Sequence, residues 1–119
     1  MGADVIIGTH PHVIQPVEYI ENSDGRRTLV AYSLGNFISA QNRGPRMLGG
    51  MINFDIVKNN NTGKVAIENV VFSGVVTHYG YNASNVRIYP LADYTEELAS
   101  KHGVKSKTPD FSCNTSTIL

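Results

Sequence analysis

The chain of 119 residues has one cysteine, Cys113, and no tryptophan. A single thiol excludes an intramolecular disulfide and any cysteine-built zinc cluster within this chain. Cys113 also lies in a polar stretch with no activating neighbour in sequence, so a nucleophilic role is not expected of it. An excess of charge of one sign is missing too: ten Lys+Arg face ten Asp+Glu, and neither sign runs in blocks. That balance excludes a basic nucleic-acid arm and an acidic tail. No stretch approaches the roughly 18 consecutive apolar residues that cross a bilayer, and the N-terminus lacks the basic-then-apolar pattern of a signal peptide. What is present suits one domain with a modest core.

The chain opens almost at once on "DVIIG", a short β-branched run of the kind expected in a strand covered on both faces. A covered strand with nothing before it suggests a piece of a longer protein, with the remainder of the same domain as its partner. From residue 13 to 34, "VIQPVEYIE" and "TLVAYSL" flank the turn dipeptide Asp24-Gly25, which predicts a β-hairpin. "GNFISAQNRGPRMLGG" holds four glycines and a proline and reads as a long irregular connection. "MINFDIVK" and "KVAIENVVFSGVVTHYG" around "NNNTG" predict a second hairpin. "VRIYPL" follows as a short strand, then a short helix capped by Asp93 or Thr95 and stopped by Gly103. The division expected is a domain over residues 1–103 and a polar tail over 104–119.

Two histidines, His10 and His12, follow the first strand in "GTHPH". On an extended backbone, alternate residues point to one side, and Pro11 restricts His10 against helix, so both imidazoles could serve one pocket. Gly8 permits a sharp turn or a close approach where the strand ends. Imidazole is a common metal ligand, but a divalent ion wants three or more protein ligands; by spacing alone the plainer reading is a polar turn. In "AYSLGNF", Ser33, Gly35 and Asn36 form a polar loop after a strand. Asn36 either orients a ligand or a histidine, or, as the plainer reading has it, bonds its own backbone. Arg43 and Arg46 could bind an anion or lie on a solvated loop. His78 reads as a strand-end histidine, and His102 as a cation at a helix C-terminus.

"GADVIIGTHPHVIQPVEYI" followed by "LVAYSLGNFI" resembles the C-terminal part of the CapA capsule-synthesis family, the poly-gamma-glutamate biosynthesis proteins, whose domain is similar to a calcineurin-type metallophosphoesterase. The resemblance implies a strand-rich α/β (α+β) fragment of a metallophosphatase-like sandwich, with two hairpins and one short C-terminal helix. It implies that His10 and His12 match the last metal-binding motif, each contributing to a two-metal centre of manganese, iron or zinc. Gly8 would be that motif's turn residue, with Thr9 where relatives often carry another histidine. Ser33, Gly35 and Asn36 match a signature near the site with a supporting role. The other ligands of that superfamily would precede Met1, so the isolated chain is expected to have little or no hydrolase activity on a phosphoester. A bacterial envelope or extracytoplasmic location is likewise implied, with any membrane anchor upstream of Met1. The alternative is a non-catalytic β-rich module whose Arg43 and Arg46 loop binds an acidic polymer; a homodimer through an open strand edge is a further expectation.

Overall fold

The computed structural model describes residues 2–112. Cys113 and the rest of the expected tail lie outside the described residues. Six strands form two three-stranded sheets: β1 (Val5–Ile7), β2 (Val17–Glu21) and β3 (Arg27–Ala31) in the order β1-β3-β2, and β4 (Leu48–Lys58), β5 (Val65–His78) and β6 (Arg87–Pro90) in the order β4-β5-β6. One short α-helix, α1 (Glu96–Ser100), follows. The strand-rich α+β character is as the sequence implied.

Both hairpins form where their turn chemistry places them. Between β2 and β3, Gly25 takes a φ of +77° and its N–H donates to the Asn22 carbonyl at 2.9 Å, while Asp24 accepts from the Arg26 N–H. Between β4 and β5, the Asn59 carboxamide oxygen accepts from the N–H groups of Asn61 and Thr62, tying down the asparagine-rich turn. Thr95 caps α1, its hydroxyl accepting from the Leu98 N–H at 3.2 Å.

β3 pairs on both sides, parallel to β1 and antiparallel to β2, and its residues Thr28 to Ala31 are buried. β1 differs from expectation. Ile6 and Ile7 are 48% and 44% exposed, with β1 at the edge of its sheet.

The connection through residue 50 is also less irregular than its glycines suggest. A 3-10 turn at Gly44–Met47 leads into β4, which starts at Leu48 and runs through Gly49 and Gly50. Met47 and Leu48 enter a core with Val76, Tyr79, Tyr94, Ala99, Val104 and Phe111. Val104 and Phe111 belong to the stretch read as the start of a polar tail. Their burial brings that stretch back onto the domain, since each supplies an apolar side chain that the small core lacks elsewhere.

The outer halves of β4 and β5 project beyond this core. The radius of gyration is 17.5 Å, against roughly 13–14 Å for a compact chain of this length, and the extents are 56 × 25 × 22 Å. A bulge shifts the register between Asn53 and Asp55, with Asn69 opposite at a φ of +51° and its amide donating to Asp55 Oδ2 at 2.7 Å. The projecting ribbon leans back on the first sheet through one bond, from the Tyr19 hydroxyl to the Ile67 carbonyl at 3.1 Å.

His102 corrects its reading as an exposed helix-end cation. It is 2% exposed, its Nδ1 accepts from the Val104 N–H at 3.0 Å, and its Nε2 faces the Thr77 carbonyl at 2.9 Å. These partners require the neutral imidazole with the proton on Nε2. Burial pushes its pKa down from 6.5 to about 4, with the neighbouring His78 adding to the fall. His78 is itself lowered, first by burial and then by Arg87, and its Nδ1 lies 2.8 Å from the Tyr94 hydroxyl. The unfolded chain therefore takes up these protons first as pH falls. Stability should be full above about pH 6.5 and decline toward pH 4, by roughly 3 kcal/mol from His102 if the gap is fully expressed. Calorimetric melting across that range should show the decline, and a His102→Gln variant, less stable at neutral pH, should lose most of that slope; an equal slope in both would refute the assignment.

Candidate metal centre

β1 ends at Ile7, and the Gly8 N–H still donates to the Ala31 carbonyl at 2.7 Å. A Cβ at Gly8 would collide with the Tyr32 carbonyl oxygen, so only glycine lets the chain leave the sheet along this path. The backbone then turns abruptly. His10 has a φ of +99° and His12 a φ of +62°. The expected extended geometry is therefore wrong: both histidines sit in a region that non-glycine residues avoid, at a cost of order 1–3 kcal/mol each. The two rings are nevertheless neighbours, with centroids 6.2 Å apart and planes tilted by 41°, and both side chains are exposed.

His12 is oriented by Asn36. The His12 Nδ1 lies 2.8 Å from the Asn36 Oδ1, while the Asn36 amide nitrogen donates to the Arg46 carbonyl at 3.0 Å and faces the His12 carbonyl at 3.5 Å. The two carbonyls demand the NH₂ end of the carboxamide, so its oxygen must face the ring. An oxygen acceptor in turn requires the proton on Nδ1, leaving the lone pair on Nε2 directed away from Asn36. This is how imidazole ligands are commonly held, with the second nitrogen donating to an oxygen. The plainer reading of Asn36, as a residue bonding its own backbone, does not hold.

Asn36 is 9% exposed because the segment before β4 closes over it. Gly35, with a φ of +69°, bridges to Gly49, and a Cβ at Gly49 would collide with the Asn36 carbonyl oxygen. Ser33, 1% exposed, accepts from the Gly35 N–H through its hydroxyl at 3.2 Å and so shapes the same turn. Arg46 contributes its backbone carbonyl to Asn36, a role invisible to residue-type reasoning. Its guanidinium donates to Gln41 Oε1 at 2.6 Å, and Arg43 lies exposed. The structure thus joins His12, Asn36, Gly35 and Ser33, with His10 beside them, and turns the Arg46 side chain to Gln41.

Two imidazoles are the right kind of donor for a divalent ion and too few to hold one. Among the described residues no group of three or more His, Cys, Asp and Glu comes together. The ring separation also bears on the fit. With a bond of about 2.1 Å, two imidazoles at a tetrahedral angle on one ion would have centroids about 5.4 Å apart. The observed 6.2 Å is within about 1 Å of that separation, a difference that rotation of either exposed side chain covers.

Residues 1–41, which include the histidine turn and the Asn36 loop, match the family described as bacterial capsule synthesis protein PGA_cap. The chain is also 35% identical over 66 residues to PGA biosynthesis protein CapA of Bacillus subtilis strain 168, a stretch that is 56% of this chain and 16% of that protein. Over its first 41 residues the chain is similar to that capsule-synthesis family. No solved structure matches the chain. The matched segment carries β1, the first hairpin and both halves of the His12–Asn36 contact, whereas the Gly49 and Arg46 backbone that closes over Asn36 lies beyond the family match.

Removing the carboxamide should free the His12 ring. In an Asn36→Ala variant, the ring-nitrogen chemical shifts of the neutral imidazole should move from an Nδ1–H tautomer toward the Nε2–H form; unchanged tautomer populations would overturn the orientation argument. The same change should cost about 1–2 kcal/mol of stability, because the Arg46 carbonyl loses its buried donor.

Proposed function

We propose that this chain supplies part of a divalent-metal centre in a CapA-type capsule-synthesis protein, with His10 and His12 as ligands. The observation that carries the reading is the pinned His12 ring, with Nδ1 facing Asn36 Oδ1 and Nε2 left with its lone pair outward. The chain spans 16% of the length of the CapA relative, so the remaining ligands are assigned to segments outside these residues. A two-metal phosphoesterase-like centre, when loaded, lowers the pKa of bound water and clamps the attacking and leaving oxygens. Within that frame Asn36 fixes the tautomer of His12, Gly8 and Pro11 set the turn, and His10 stands as the neighbouring donor. The substrate is a phosphoester or an anionic polymer, with poly-gamma-glutamate suggested by the CapA name, and the location is the bacterial cell envelope. No helix among the described residues is long and apolar enough to cross a membrane.

The competing reading of a non-catalytic polymer-binding loop draws less support, since the Arg46 guanidinium is engaged by Gln41 and leaves Arg43 alone. Calorimetric titration with manganese and with zinc separates the two. The full-length protein that carries the remaining ligands should bind metal, and His10→Ala/His12→Ala in it should abolish or weaken that binding at least tenfold, with Asn36→Ala between them. Equal affinity in all three sinks the proposal. Tested alone, this chain should show no phosphoesterase turnover above background, because two ligands cannot fix a two-metal geometry.

A further inference from the structure

A second concave site lies where the projecting ribbon leans on the first hairpin. The groove has a volume of about 650 Å³, within the range of small-molecule sites. Its wall is built around Tyr19, whose hydroxyl is fixed to the Ile67 carbonyl and whose ring carries the Arg27 guanidinium 4.1 Å above its centroid. Stacking orders the guanidinium while leaving its edge donors unspent. Among the described residues neither Arg27 nor Lys64 enters an ion pair, whereas Arg26 is committed to Asp24 at 2.7 Å and approaches Asp4 at 3.8 Å. The Lys64 backbone is held at the turn by its carbonyl, which accepts from the Asn59 N–H at 2.8 Å, and by its own N–H, which donates to Thr62.

The charge balance of the lining limits what the groove can take. Arg26, Arg27 and Lys64 bring three positive charges, and Asp24 and Glu68 two negative ones, so one positive charge remains. That residue of charge suits one carboxylate and suits a polyanion or a phosphate dianion poorly, since Glu68 repels a second negative charge. Apart from Asn59 at the turn, the uncharged lining is mostly apolar: Val57, Val65, Ala66 and Ile67 line the groove, with Val57 44% and Val65 36% exposed. We propose that this groove binds a monocarboxylate with an apolar body, its carboxylate held between Arg27 and Lys64 and its hydrocarbon laid along the ribbon.

The test is a heteronuclear NMR titration of the labelled protein with sodium decanoate below its micellar concentration, beside decanol and inorganic phosphate. Saturable shifts at Tyr19, Arg27 and residues 64–68 are expected with decanoate, and none with phosphate. Lys64→Gln, at an exposed turn, should weaken binding by roughly tenfold and Glu68→Gln should tighten it by about threefold, as expected for single charge-assisted contacts. Arg27→Gln should weaken it at least as much as Lys64→Gln. Equal binding of decanol, binding of phosphate in place of decanoate, shifts confined to exposed residues such as Ile56 and Val71, or charge variants without effect would each overturn the proposal.

Discussion

The two sheets of this protein are joined by a backbone seam that only glycine permits. Gly35 bridges to Gly49, the Gly50 N–H donates to the Leu34 carbonyl at 2.7 Å, and Ile14 bridges to Leu34 just beside them. At Gly49 the neighbouring chain is so close that a Cβ would overlap the Asn36 carbonyl oxygen. Main chain therefore meets main chain where side chains would ordinarily separate two sheets by about 10 Å. Both the core and the histidine site depend on that approach.

On one side of the seam, β4 is placed so that Met47 and Leu48 point into the core and meet Val76, Tyr79 and the returning residues Val104 and Phe111. On the other side, the loop carrying Asn36 is covered, and a carboxamide that would otherwise be solvated becomes a fixed reference for His12. The farther β4 and β5 run from the seam, the less they bury. Ile56 and Val71 are 67% and 55% exposed on a two-stranded ribbon, an element of marginal stability by itself. Its side-chain tie to the first sheet, from Tyr19, is also what closes the groove beneath Arg27.

Much of the fold was legible because it is local. Alternation, Asp24-Gly25 and the asparagine turn mark both hairpins, and Thr95 caps the helix, which ends at Ser100 with Lys101 as its C-cap while Gly103 opens the 3-10 turn that follows. The misreadings share one cause, which is contact between distant segments. Gly49 and Gly50 look like loop residues until the Asn36 backbone is seen against them, and then they are strand residues that tolerate a close neighbour. Residues 104–111 look like a polar tail because only Val104 and Phe111 are large and apolar, yet those two find a core prepared by β5 and α1. His102 looks like a helix-end cation because sequence cannot reveal that Thr77 and Val104 will enclose it. At the histidine pair the residue types suggested the donors, but the tautomer needed Arg46, whose backbone carbonyl and not its guanidinium does the orienting.

The strained turn at His10 and His12 is best understood together with the seam. Two non-glycine residues with positive φ cost more than a polar turn needs, since asparagine or glycine at either position would remove much of the penalty. The cost is sustained because Gly8 is tied to Ala31 on one side and the Gln15 N–H is tied to the Ser33 carbonyl on the other, leaving a short path between fixed ends. Along that path the His12 carbonyl and ring both turn toward Asn36, and the carboxamide answers each with its opposite end. Reversing the carboxamide would set its NH₂ against the ring and its oxygen against two carbonyls. A seam made of glycine backbone thereby selects, several residues away, which nitrogen of His12 keeps its lone pair.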